Sequence, residues 1–189
     1  KFRFRLPDGH DTTPQEWLRS WEKRYDNSKY DEVTYEDLIK RHQSFKAEDF
    51  ERIGQWKDYA KTQAKWKPNI ASVAYVVWKQ AASELPGTIV RETTADAFLT
   101  EWSGRKYVDE YKNGRQAKQF GLSRATTLLH FMSGGSFPIF DSRVRRAVKR
   151  LLGSPVPYTV RVYFDSYCPL FQTIAASCGS KDLRALDKA

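Results

Sequence analysis

The chain has 189 residues, with 32 Lys+Arg against 23 Asp+Glu, a net charge of +9 and 14% aromatic residues. That length can bury a real core, in one domain or in two small lobes around a cleft. No apolar run approaches the roughly 18 residues that a membrane helix needs, and no secretory leader pattern opens the chain.

The charge is unevenly placed. Residues 1–100 hold 17 basic against 16 acidic side chains, and residues 101–189 hold 15 against 7. A basic second half points to a polyanion partner, above all nucleic acid, although RNA or an anionic surface answers the same charge. Cys168 and Cys178 lie too far apart on a helical pattern for an easy bridge and predict free thiols in a reducing cytosol. Two cysteines cannot hold a four-cysteine iron–sulfur cluster. His10, His42 and His130 show no metal spacing, and His130 sits on an apolar helical face as a packed core residue. No metal and no cofactor are expected.

In chain order, Lys1-Phe2-Arg3-Phe4-Arg5 reads as a short surface strand or as a basic arm. Thr13-Pro14-Gln15-Glu16 is a capping box with proline at the first helical position. It predicts a helix to about Tyr25, broken by Asp26-Asn27-Ser28. Thr34 opens a second helix that ends near His42. A third begins near Ala47 and carries Phe50, Ile53 and Trp56. From Trp56 to Pro68, aromatics interleave with lysines. That pattern suits stacked bases and held phosphates, or an amphipathic helix with its rings packed inward. Asn69 caps the most apolar helix, Ile70 to Leu85, which Pro86-Gly87 stops. Thr94 caps the next, with Ala97, Phe98 and Trp102 inside. Gly104 to Gln119 reads as a charged helix weakened at Gly114, leading into Phe120-Gly121 as the first arm of a helical hairpin. Trp66, Trp102 and Tyr107 are candidate base stackers.

The stretch Gly121 to Leu152 carries the chemistry. Ser123 N-caps a helix to Met132, with Leu128, Leu129 and Met132 at helical spacing. Ser133-Gly134-Gly135-Ser136 stops it. Phe137-Pro138-Ile139-Phe140 runs extended, because the residue before a proline avoids the α region. Asp141 caps a second helix, whose buried stripe is Val144, Ala147, Val148, Leu151 and Leu152 and which Gly153 ends. Arg143, Arg146 and Arg150 lie on one flank of this helix, Arg145 and Lys149 on the other. An N-cap carboxylate accepts bonds from first-turn amides and sits on the positive end of the helix dipole, so it stays ionised. A fixed anion beside a basic surface is suited to facing positive charge that develops on a sugar while phosphates are held nearby. After Pro155-Val156-Pro157, the run Tyr158 to Phe164 is β-branched enough for a strand, but it continues into a helical pattern, and one helix from near Thr159 to Cys178 is favoured. Lys181 to Ala189 opens a last helix.

These residues resemble the helix-hairpin-helix DNA glycosylase superfamily, the group that includes endonuclease III and the adenine and 8-oxoguanine glycosylases. The hairpin match is Gly121-Leu122-Ser123. The second match is Phe137-Pro138-Ile139-Phe140-Asp141-Ser142-Arg143-Val144-Arg145-Arg146, which looks most like the adenine glycosylase version. Ser123 stands where members carry the second hairpin glycine. Members that cleave the strand carry a lysine early in the first helix; here Ser123, Arg124, Ala125 and Thr126 fill that region, and Lys118 lies just upstream.

The resemblance implies an all-α domain of two helical lobes flanking a cleft beside Asp141, roughly residues 1–68 plus 153–189, and 69–152. It implies Asp141 as the catalytic carboxylate. It also implies that the amides of Gly121, Ser123, Arg124 and Ala125 hold a phosphate. Arg124, Arg143 and Arg145 become the cationic contacts, while Arg146 and Arg150 pair with acidic residues. The implied activity is a monofunctional DNA N-glycosylase, which flips a damaged or modified base out of duplex DNA and hydrolyses its glycosidic bond without strand cleavage. A monomer in base excision repair is implied, cytoplasmic at the nucleoid or nuclear. Two other readings stay open: an inactive DNA-binding module on the same scaffold, and an RNA-binding or protein-interaction helical domain whose basic helix is incidental.

Overall fold

A computed structural model describes residues 4–6, 8–23, 31–58, 73–109 and 116–179. In chain order these form α1 (Pro14–Glu22), α2 (Glu32–Lys40), α3 (Ala47–Asp58), α4 (Val73–Glu84), α5 (Ala95–Gly104), β1 (Lys106–Asp109), β2 (Gln116–Gln119), α6 (Leu122–Met132), α7 (Ser142–Leu152), α8 (Val160–Val162) and α9 (Cys168–Ser177). A π turn, Tyr163–Tyr167, joins α8 to α9. The described chain is predominantly helical, as expected. The break at Asp26-Asn27-Ser28, the lysine-rich run from Tyr59 to Pro68 with Trp66, and the last helix lie outside the described residues.

Local chemistry explains the starts and stops. The capping box of α1 is reciprocal: the Glu16 amide donates to Thr13 Oγ1 at 3.2 Å, and the Thr13 amide donates to Glu16 Oε2 at 3.3 Å. Helix α2 begins before Thr34, because Asp31 is the cap and its Oδ1 accepts the Thr34 amide at 3.0 Å. The pattern from Tyr158 to Cys178 is helical through α8, the π turn and α9.

Helix α6 is the buried centre. Every residue from Ala125 to Met132 is buried, so water meets only its first turn. Its polar side chains are satisfied internally, with Thr126 and Thr127 hydroxyls donating to the Ser123 carbonyl at 3.1 and 2.8 Å. One hydrophobic cluster surrounds it, running from Phe4 to Cys178 and drawing on both lobes outlined from the sequence. Helices α3 and α4 cross closely because Gly54 has no side chain; a Cβ there would fall 2.4 Å from the Trp78 ring.

The segment from Gly104 to Gln119 corrects the helical expectation. Strands β1 and β2 pair antiparallel, with Tyr107 opposite Lys118 and Asp109 opposite Gln116. The signal was present: Asn113-Gly114 lies between them, and Asn-Gly between β-forming residues favours a hairpin over a helix. The ladder is carried on to α5, as the Phe120 amide donates to the Arg105 carbonyl at 2.9 Å and the Gly121 amide to the Ser103 carbonyl at 3.2 Å. The helix packed beside α6 is therefore α5, with a β-hairpin inserted between the two.

Two further expectations change. Gly121, at φ 79, is the N-cap of α6, and Ser123 sits in the first turn without capping it. A φ of that sign favours glycine, which explains why the turn needs Gly121. On α7, Val148 is buried and Val144 half-buried, but Ala147 is exposed and drops out of the expected stripe, while the side chains of Leu151 and Leu152 lie outside the described residues.

Candidate active site

The segment Phe137 to Phe140 delivers Asp141, and side chains hold each of its four carbonyls. His130 Nδ1 donates to the Phe137 oxygen at 2.7 Å. The Tyr163 hydroxyl donates to Pro138 at 2.7 Å, Tyr167 to Ile139 at 3.0 Å and Tyr158 to Phe140 at 2.8 Å. The Phe140 amide donates to Thr126 Oγ1 at 3.1 Å. Pro138 has no amide to donate, and the segment belongs to no helix or strand, so side chains satisfy its carbonyls instead. The Phe140 ring stacks on Tyr167 with centroids 4.3 Å apart. His130 is core, 1% exposed, and its Nε2 lies 2.8 Å from the Tyr35 hydroxyl.

Asp141 caps α7 as expected. Its Oδ1 accepts the amides of Arg143 at 2.8 Å and Val144 at 3.1 Å. The other oxygen, Oδ2, accepts Lys57 Nζ at 3.0 Å. Burial pushes the carboxyl up, but the Lys57 ammonium and the two amides outweigh it and hold the group below its ordinary value. Asp141 is thus fixed and ionised. The two side chains of the pair, Lys57 and Asp141, are 14% and 25% exposed, so their pairing is shielded from solvent more than a surface salt bridge.

Lys57 is the site residue the sequence did not single out. It comes from the end of α3, in the run of aromatics and lysines, and 84 residues separate it from Asp141. No spacing rule joins positions that distant. Its neighbour Trp56 is a buried core residue, which matches the inward-packed reading there.

The candidate contacts divide. Arg124 Nε bonds Asp58 Oδ2 at 2.9 Å, and that oxygen also accepts Trp78 Nε1 at 2.7 Å. Arg124 is half-buried and paired with Asp58 within the protein. Arg145 Nε donates to the Val156 carbonyl at 3.1 Å, and its guanidinium lies 5.5 Å from the Tyr158 ring centroid. It anchors the proline-rich link. Arg143, Arg145, Arg146 and Lys149 are all exposed on α7. At the α6 turn, the amides of Gly121 and Ala125 are taken by Ser103 and Gly121 carbonyls, which leaves Leu122 and Ser123 to open the helix. Ser123 hydrogen-bonds the Tyr158 hydroxyl, and burial pushes that phenol up to about 12.

Trp102 is 2% exposed and packed under Arg105, so it is a core residue, not a base stacker. A hollow of about 360 Å³ opens at the far end of the segment, with His42, Val90, Met132, Phe137 and Gln172 among its walls. Asp141 is not one of them. Cys168 and Cys178 are buried and unbridged, and burial pushes the Cys168 thiol up to about 12. Among the described residues, no group of acidic, histidine or cysteine side chains could hold a metal ion, and no helix is long and apolar enough to cross a membrane.

No protein-family model, no curated protein and no solved structure matches this chain.

Proposed function

We propose that the protein is a DNA N-glycosylase that hydrolyses the bond between deoxyribose and a damaged or modified base in duplex DNA. The observation that carries this reading is the state of Asp141: shielded, ionised, held by two amides and a lysine, at the head of a helix whose outer face is basic. The base is flipped out of the stack. As the C1′–N bond lengthens, its electron pair leaves with the base and the sugar becomes cationic. The Asp141 carboxylate faces that charge and orients the water whose oxygen bonds to C1′. Arg143, Arg146 and Lys149 hold flanking phosphates, and the first-turn amides of α6 receive another. The resemblance of Phe137 to Arg146 to the helix-hairpin-helix glycosylases supports the same chemistry, while the β1–β2 hairpin stands where the family carries the first helical arm.

The strand stays intact in this reading. Ser123 to Thr126 offer no lysine, and Lys57, the amine beside Asp141, is engaged as its ion-pair partner.

A second reading is favoured by that same pair. If Lys57 neutralises Asp141 permanently, the carboxylate is only a cap, and the protein is a duplex-binding module without turnover. Incubation with duplexes that each carry one modified base, followed by detection of abasic sites, separates the two. Abasic sites from one duplex class support the glycosylase. Salt-dependent duplex binding with no product from any duplex supports the module.

A further inference from the structure

We propose that Tyr158, Tyr163 and Tyr167 are positioning residues for Asp141, which set the carboxylate by clamping three consecutive carbonyls of the segment before it. The functional part of this inference rests on the reading of Asp141 as the reacting group.

The three hydroxyls reach Phe140, Pro138 and Ile139 at 2.8, 2.7 and 3.0 Å. Tyr163 and Tyr167 are 0% and 1% exposed and lie at the two ends of the π turn. A π turn widens the helix by one residue, and such turns mark places where a helix is reshaped for a purpose. Here it directs two hydroxyls four residues apart onto adjacent peptide units. Tyr158 acts from outside the helix, on the last carbonyl before Asp141. A buried hydroxyl on a buried carbonyl satisfies both groups, so each bond fixes the backbone as well as stabilising it. The segment has no ladder of its own. Besides the clamp, Thr126 and His130 hold the segment, and the amides of Arg143 and Val144 hold the carboxylate itself.

The charged and titratable groups that act on Asp141 are Lys57 from α3 and Tyr158, and Arg124 and Arg145 act in turn on Tyr158. The test reads Asp141 directly, by carbon-13 NMR titration of its carboxyl in the native chain and in Tyr158→Phe, Tyr163→Phe and Tyr167→Phe. Phenylalanine keeps each ring and removes only the hydroxyl. Thr173→Val is the control, since that hydroxyl bonds the Pro169 carbonyl and touches none of the segment. The native carboxyl and the control should titrate below the ordinary carboxylate range. The Tyr→Phe variants should move up toward it while their circular dichroism stays native. Tyr158 is only half-buried, so Tyr158→Phe carries the test if either core variant fails to fold. On a duplex that the native protein excises, the same variants should lose roughly tenfold to a hundredfold in kcat with KM unchanged. An unmoved Asp141 titration in folded variants overturns the clamp. If the native chain excises no base, the glycosylase reading falls, and the titration still decides the clamp.

Discussion

Lys57 Nζ stands 3.0 Å from Asp141 Oδ2, and the next residue on α3, Asp58, takes the Arg124 guanidinium at 2.9 Å. Two consecutive residues at the end of one helix thus hold the first turns of α6 and α7. Lys57 comes from the last described turn of α3. Asp141 completes the pairing from the opposite helix terminus, whose positive end favours an anion.

The pair should be visible in stability. Asp141→Asn keeps a capping side chain but leaves a shielded ammonium without its counter-ion, and should cost about 2 kcal/mol at neutral pH. The folded carboxyl titrates lower than the unfolded one. Its contribution is therefore fully present above the unfolded value, about 3.9, and is lost as pH falls through the folded value. Urea denaturation of both proteins between neutral and strongly acid pH should show a gap that closes on the acid side. A gap independent of pH would mean that charge is not what Asp141 supplies.

The cations should separate by role. Arg143→Glu and Arg146→Glu should weaken binding to any duplex and lower the slope of log affinity against log salt by about 0.9 for each phosphate that is no longer neutralised. Arg145→Ala should instead lower the melting temperature, because it frees the Val156 carbonyl and uncovers Tyr158. Arg124→Ala should do the same through Asp58. Fluorescence anisotropy at several salt concentrations, run beside thermal melts, checks all four. Unchanged salt slopes for Arg143→Glu and Arg146→Glu would place the nucleic-acid face elsewhere.

Much of the fold was legible in the sequence because it is local. The cap at Asp141 and the start of α1 depend on neighbouring residues, and they appear where expected. The β-hairpin was legible too, through Asn113-Gly114, but Gly114 reads as a weak point in a charged helix. The rest is tertiary. Lys57 meets Asp141 from 84 residues away, and Tyr163 and Tyr167 reach their carbonyls across 25 and 28. Arg124 reads from the sequence as a cationic contact, and only the fold turns it toward Asp58.

The missing nucleophile gives a further outcome. A lysine that attacks the sugar forms an imine, which borohydride reduces to a stable adduct, and elimination then nicks the strand. Neither a hydroxyl nor a guanidinium in Ser123 to Thr126 can form it. Lys57 has the position but is bound to Asp141 as an ammonium, and an ammonium has no lone pair to attack with. Borohydride treatment of the protein with duplex carrying an abasic site should leave no covalent complex. An adduct that persists in Lys118→Ala and disappears in Lys57→Ala would assign the attack to Lys57 and contradict a water-only mechanism.

The most direct measurement compares the native chain with Asp141→Asn on a panel of duplexes, each with one modified base, scoring abasic sites under single-turnover conditions. The account predicts that the native protein releases at least one base. It predicts that Asp141→Asn binds the same duplex with similar affinity and releases that base about 10³-fold more slowly. Release of the base at the native rate by Asp141→Asn would contradict it.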